Sequence, residues 1–186
     1  IAEAAEQIAQ AKALALETMP AANVYRLGAE SNAALLAFET GRAAEAEPVL
    51  RSVMERHIAS LGEDHPYVGR IRTILGRVLL ELGDSAKAAE LIQMPPAGVP
   101  VFWREDARLW SAEVSLAMDD PTRAAQLAVA AVAARRDSGQ FPEWKIAEAQ
   151  LVWASAIGDD ELRDNAARRL KAVLPTEHIR HPAPND

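Results

Sequence analysis

Two segments of the sequence repeat each other 42 residues apart, and this repetition constrains the fold more than any other feature. The segments are FETGRAAEAEPVL, residues 38–50, and LELGDSAKAAELI, residues 80–92. Their coincident positions are Gly41 with Gly83, Ala46 with Ala88, and Leu50 with Ile92. A third copy, AMDDPTRAAQLA, aligns Ala124 with Ala88 at a spacing of 36 residues, and a fourth, SAIGDDELRDNAARRL, matches more weakly. Such spacing is typical of proteins built from stacked copies of one small unit.

Each copy has the pattern of a helix, a tight turn and a second helix. Apolar residues between positions 71 and 82 recur at the spacing of one helix face. A glycine then supplies the left-handed residue that ends a helix, and an acidic or hydroxyl side chain can cap the next one. The helix-ending glycines are Gly83 and Gly158, and the cap candidates are Asp84 or Ser85, Asp120 before Pro121, and Asp159 or Asp160. Short turns of this kind make the paired helices antiparallel.

The pattern predicts an all-α chain, since β-branched runs with period-two alternation are missing. The predicted helices span residues 2–18, 21–40, 43–61, 66–82, 85–93, 101–118, 121–137, 143–157 and 161–173. The proline-rich segment 95–100 is predicted to be a loop. Residues 175–186, which contain Pro182 and Pro184, are predicted to form a flexible tail.

The spacing of small and apolar residues resembles that of the tetratricopeptide repeat family, whose pattern is W-x2-L-G-x2-Y, then A-x3-F, then P. The matching residues here are Arg72, Leu75, Gly76 and Leu79, then Ala88 and Ile92, then Pro100. Two aromatic positions of the family have become Arg72 and Leu79. The resemblance implies an α-α superhelix of antiparallel hairpins over residues 1–174, in which the small residue Gly76 lets two helices touch.

A narrower resemblance covers residues 41–68. This stretch is similar to the long repeat variety of kinesin light chains and bacterial signalling proteins, which has an extended second helix and an LG-x-[DE]-HP-x-V connector. The matching residues are Leu61, Gly62, Asp64, His65, Pro66 and Val68. The long variety often carries paired asparagines that face the ligand, and Ser31 with Asn32 matches such a pair in part. The equivalent positions of the next copy are Thr73 and Ile74.

The resemblance implies that the first helix of each hairpin lines a concave partner-binding face. The predicted partner-binding residues are Ser31, Asn32, Phe38, Arg70, Thr73, Arg77, Glu81, Asp106 and Glu113. Arg70 and Arg77 are suited to acidic groups or a carboxylate of a bound peptide. The competing interpretation, a solvated helix face with ordinary charge spacing, is the more common one for exposed charges.

Composition and motifs narrow the function classes. A net charge of -7 argues against nucleic-acid and anionic-membrane binding, and the lack of cysteine excludes disulfides and thiolate metal sites. No enzyme motif is present, so we expect neither catalysis nor a cofactor. We also expect no metal site, because His178 and His181 lack a carboxylate partner in helical register. His57 and His65 are expected to be structural. Trp103, Trp110, Trp144 and Trp153 are expected to pack between hairpins rather than anchor a partner.

These observations predict a protein–protein interaction domain that acts as a scaffold or adaptor for a peptide or protein. The chain starts at Ile1, which suggests a fragment of a larger protein. The resemblance to the long repeat variety suggests a bacterial source, and the lack of cysteine suits the cytoplasm, although an exported location stays open. The alternative is a regulatory arm of a kinase or transcription factor that binds a small ligand or its own effector domain. Self-association through an apolar end of the array is a third reading.

Overall fold

The computed structural model describes residues 2–95 and 98–173. Within these ranges the chain forms nine α-helices and no β-strand, which confirms the all-α class. The helices are α1 Ala2–Thr18, α2 Val24–Glu39, α3 Ala43–Leu61, α4 Pro66–Glu81, α5 Ser85–Leu91, α6 Val101–Ala117, α7 Pro121–Ser138, α8 Glu143–Ile157 and α9 Asp160–Lys171. The predicted tail at 175–186, with His178 and His181, lies outside the described residues.

The helices begin and end within two residues of the predicted positions, with one exception. Helix α2 was expected from residue 21 but begins at Val24. Ala21 and Ala22 form a turn after Pro20, and the side-chain oxygen of Asn23 accepts a hydrogen bond from the backbone N–H of Tyr25 at 2.9 Å. The side-chain cap therefore sets the start of the helix, although alanine favours helix.

Backbone contacts divide the chain into two compact units, which we call unit 1 (Ile1–Gln93) and unit 2 (Met94–Asp186). Unit 1 contains α1 to α5, and unit 2 contains α6 to α9. Within each unit every helix packs against the next one along the chain. First helices also touch, since α2 contacts α4 in unit 1 and α6 contacts α8 in unit 2. The residues described between α5 and α6 are non-helical, as expected of the proline-rich segment.

The turn inside each hairpin follows one chemical rule. A residue with positive φ ends the first helix, namely Gly41, Gly83, Asp119 and Gly158. An aspartate then caps the second helix in three of the four hairpins, where Asp84, Asp120 and Asp159 accept from the backbone N–H three residues on. These caps are confirmed as predicted. The third turn differs because Asp119, at φ 61°, occupies the place of the glycine, which costs an L-residue about 1–2 kcal/mol.

Gly76 of α4 lies in close contact with α5 and the residue that follows it. A methyl group built on its Cα would lie 2.5 Å from Cγ1 of Ile92 and 3.2 Å from the carbonyl oxygen of Ala88. Glycine is therefore required at this position by space rather than by backbone conformation. This confirms the expected contact between the two helices of the hairpin.

Candidate partner-binding face

The first helices of unit 1 meet at a cation–aromatic contact. The guanidinium of Arg77 on α4 lies 5.6 Å from the centre of the Phe38 ring on α2. Arg77 also pairs with Glu81, one turn further along α4, at 3.5 Å. Phe38 is 2% exposed, so this cation–aromatic contact is made to a buried ring.

The predicted residues of unit 1 lie at different depths. Asn32 and Glu81 are exposed, and Arg70 and Arg77 are half-buried. Ser31, Thr73 and Phe38 are buried within the unit. The Ser31 hydroxyl donates to the carbonyl oxygen of Gly28, and the Thr73 hydroxyl donates to that of Gly69, both at 2.9 Å. Direct contact of these three buried side chains with a partner stays a prediction, because they lie beneath the surface.

In unit 2 the predicted acidic residue Asp106 belongs to a network that centres on a buried arginine. Arg135, on the second helix α7, is 0% exposed and reaches both first helices of the unit. Its Nη2 donates to Asp106 of α6 at 3.0 Å, and its Nη1 donates to Glu148 of α8 at 3.2 Å. Nη1 also donates to the carbonyl oxygen of Lys145, and the ring of Phe141 lies 5.3 Å from the guanidinium. One cation therefore joins three helices.

Arg135 was not predicted as a site residue. A signal was nevertheless present, because Ala124, Ala128, Ala131 and Arg135 follow one helical face at intervals of four, three and four. The first three are fully buried alanines. A charged residue that continues a buried stripe must carry a partner, since an unpaired buried charge is strongly unfavourable.

Lys145 and Glu148 complete the network with a direct ion pair at 3.1 Å. Burial raises the pKa of Glu148, but the nearby Lys145 and Arg135 outweigh it and hold that pKa below its ordinary value. Burial lowers the pKa of Lys145, yet Glu148 and Asp106 outweigh this effect and raise it. Both side chains are charged at neutral pH, and each is about a quarter to a third exposed, Lys145 at 24% and Glu148 at 32%. Their outer edges can therefore reach a partner.

The hairpin pattern is matched by known proteins. Residues 25–94 match the family model of the tetratricopeptide repeat. This match places the tetratricopeptide repeat (TPR) pattern on α2 to α5. No curated protein sequence matches the chain.

The TPR fold extends beyond that segment. Two crystal structures of nearly identical TPR-like repeats, from a Podosopora anserina protein described as a kinesin light chain, superpose on 91% of this chain. One of them is a point variant. The TM-scores are 0.58 and 0.57, the identity is 19% in both, and the alignments cover 84% and 85% of those chains. The similarity shows the fold of the chain, a TPR-like solenoid of helix hairpins, as predicted.

Several TPR landmarks have changed character in this chain. Arg72 replaces the first aromatic residue of the family pattern, and its guanidinium binds Glu63 of the preceding connector at 2.6 Å.

Trp144 and Trp153 of α8 are partly buried against apolar clusters of unit 2, in accordance with the packing interpretation. Glu113 is half-buried on α6, two turns after Asp106. Within the described ranges, no group of three or more His, Asp or Glu residues could hold a metal ion.

A second ion network supports α2 from the side of α3. Glu30 accepts from both terminal nitrogens of Arg56 and from Nε of Arg26, and the two arginines also donate to carbonyl oxygens of the turn before α2. The hydrogen bond from Arg56 lowers the pKa of Glu30, and burial opposes it only in part.

No described helix combines the length and the apolar composition needed to cross a bilayer.

Proposed function

We propose that the chain is a protein-interaction scaffold whose first helices bind a peptide or protein partner. Tetratricopeptide repeats generally mediate protein–protein interaction, and their fold is typically non-catalytic. The observation that carries the proposal is the contact of Arg77 with Phe38, which brings the first helices α4 and α2 together. The expected repeat domain over residues 1–174, its flexible tail and a place in the bacterial cytoplasm belong to the same proposal.

The proposed face in unit 1 favours a partner that carries an acidic group. Arg70 and Arg77 lie two turns apart on α4, and both are half-buried, so the surrounding helices strengthen their electrostatic attraction for a carboxylate. Asn32 and Glu81 are exposed and can add hydrogen bonds at the edges. In unit 2, Asp106 and Glu113 lie on the first helix α6, where their carboxylates favour a basic group.

A random peptide display library tests this proposal. We expect the purified chain to enrich peptides with an acidic residue near an apolar one. The double variant R70A/R77A should weaken binding of an enriched peptide about tenfold or more, because each charged hydrogen bond contributes about 1.5–3 kcal/mol. The matched control is Arg51→Ala, which removes an arginine that is paired one turn away with Glu47 on a second helix.

Three outcomes decide between the hypotheses. Equal binding by R70A/R77A and wild type would refute the assignment of these arginines. Enrichment of no peptide at all would contradict the scaffold function. A thermal shift produced by a metabolite, in the absence of any peptide ligand, would favour the regulatory arm instead.

A further inference from the structure

The connector between α3 and α4 carries an unused cluster of titratable groups. We define the connector as residues 62–65. Two histidines, one in α3 and one in the connector, lie near a tyrosine at the start of α4. The ring of His57, near the end of α3, stacks on Tyr67 with centroids 6.0 Å apart. The ring of His65, the last residue of the connector, lies 5.3 Å from the same tyrosine. Both imidazoles therefore contact the first turn of α4.

His57 is buried in a state that favours the neutral ring. Its side chain is 3% exposed, and its Nδ1 has no hydrogen-bond partner among the described residues. Burial lowers the pKa of His57, and the electrostatic effects of His65 and Arg56 lower it further. A proton on His57 would therefore enter a site without a compensating acceptor at Nδ1.

Most of the charged side chains on the elements that pack around His57 form ion pairs with one another. On its own helix, Arg56 is bound to Glu30 of α2, which Arg26 also holds. From the connector, Glu63 is bound to Arg72 of α4, while Asp64 is exposed. From α4 itself, Tyr67 presents its ring.

His65 contributes to the connector through a hydrogen bond. Its Nδ1 accepts the backbone N–H of Tyr67 at 3.2 Å and so caps α4, which confirms the expected structural role. A protonated imidazole carries hydrogen on both nitrogens and cannot accept. Protonation of His65 therefore removes the cap whatever its neighbours are.

We propose that the α3–α4 connector is a pH-responsive joint, in which protonation of His57 and His65 releases the first turn of α4 from α3. Both protonations weaken the attachment of α4 to α3. Protonation of His57 places a charge against the Tyr67 ring, and protonation of His65 breaks its hydrogen bond with the backbone N–H of Tyr67. The expected result of mild acid is a local opening of unit 1 between its two hairpins, while unit 2 stays closed. This inference goes beyond the proposed function and does not depend on which partner binds.

Hydrogen exchange of the full chain at pH 7.5 and pH 5.5 tests the joint. We expect the protection factors of amides 67–69 to fall about five- to tenfold at pH 5.5, the size expected for loss of one N-cap. Protection factors correct for the intrinsic pH dependence of exchange. The amides of α7 in unit 2 serve as the internal reference and should not change. An equal change in both regions, or no change in either, would overturn the proposal.

Matched variants separate the two histidines of the joint from the other two in the chain. The double variant H57F/H65N keeps a ring against Tyr67 and a capping oxygen, but neither side chain titrates, so protection should become independent of pH. The control H178N/H181N should respond as wild type does. Loss of the response in the control, or its persistence in H57F/H65N, would contradict the joint.

A second readout keeps the inference testable if H57F/H65N does not fold. In wild-type protein, the imidazole NMR signals of His57 and His65 can be followed together with the ring signals of Tyr67 as the pH is lowered. We expect the three sets to change over the same pH range, since one opening event moves them all. Titration of both histidines with unchanged Tyr67 signals would disprove the mechanism.

Discussion

Unit 1 and unit 2 repeat the same hairpin with different cores. The fully buried side chains of unit 1 are mainly large and branched, namely Leu27, Leu50, Leu75, Val53, Val68 and Val78. Those of unit 2 are mainly alanine, namely Ala107, Ala112, Ala124, Ala128, Ala131, Ala147, Ala149 and Ala166. Alanine lets helices approach closely but removes less apolar area from water per residue. Unit 2 therefore has less hydrophobic stabilisation to draw on for each helix pair.

The two units also differ in how deeply their networks of charged side chains are buried. In unit 1 the network of Glu30 and Arg56 lies at a partly exposed edge, with side-chain exposures of 12% and 27%. In unit 2 the guanidinium of Arg135 is fully buried and links three helices. The family model ends at residue 94, one residue after the end of unit 1, although the hairpin pattern continues. Turn and cap chemistry thus preserves the hairpin where the apolar signature of the family has faded.

The largest expected effect is that of Arg135→Met in unit 2. Loss of the guanidinium leaves Asp106 and Glu148 partly buried without their shared cation, and we expect the free energy of unfolding to fall by about 3 kcal/mol. Urea unfolding followed by circular dichroism measures the change. Arg136→Met, at the exposed neighbouring position, should alter stability by less than about 0.5 kcal/mol. Equal losses in the two variants would mean that the network contributes nothing.

Gly76→Ala should produce the next largest effect, and it tests close packing in unit 1. The new methyl group would overlap Ile92, so we expect a loss of about 1–3 kcal/mol. Gly28→Ala is the matched control, because it too lies inside a first helix but has open space around it. There the gain in helix propensity should stabilise by up to about 1 kcal/mol. In the background of Ile92→Ala the cost of Gly76→Ala should shrink, and an unchanged cost would refute the contact.

Asp119→Gly should stabilise unit 2, in contrast to most substitutions. Asp119 adopts a φ of 61°, which glycine reaches without the steric cost of a Cβ, so we expect a gain of about 1 kcal/mol. The reverse change at the equivalent turn of unit 1, Gly83→Asp, should lose a similar amount, because φ there is 86°. Thermal unfolding of both variants measures the pair. A lower melting temperature for Asp119→Gly would show that the aspartate makes a stabilising contact.

The smallest predicted effect concerns pH and unit 1. The pKa of Glu30 is lower in the folded protein than in the unfolded chain, so its contribution is fully present above the unfolded value of 4.5 and is lost as the pH falls through the folded value. Glu30→Gln should therefore flatten the decline of stability below about pH 4.5, by less than about 1 kcal/mol. Urea unfolding at pH 6 and pH 3.5 measures it. The exposed Glu55→Gln is the control, and the same flattening there would disprove the assignment.

Local chemistry explains why most of the fold was predictable from the sequence. Glycines at helix ends and aspartates at helix starts act within four residues, so Gly83 with Asp84, and Gly158 with Asp159, marked the turns directly. The start of α2 was missed because Ala21 and Ala22 favour helix, whereas the cap at Asn23 overrides that preference. Asp119 was missed as a left-handed residue because aspartate at a turn is read first as a cap.

The candidate site was less predictable, because depth depends on neighbouring helices. Repeat register indicated the side of the helix for Ser31, Phe38 and Thr73, but it could not show that all three are buried. Arg135 continues the alanine stripe of α7 in the sequence, but its partners on α6 and α8 are identified only by the structure. Contacts over 29 residues, such as that of Arg135 with Asp106, have no signature in a local window.

The meeting of Gly76 with Ile92 has a consequence for the modularity of such arrays. The two positions lie on opposite arms of one hairpin, and the bulk tolerated on one arm is dictated by the other. A single helix grafted from a foreign repeat would bring only one of the two side chains whose volumes must be compatible. Exchange between repeats should therefore succeed when whole hairpins travel together, with crossover points in the connectors rather than in the tight turns.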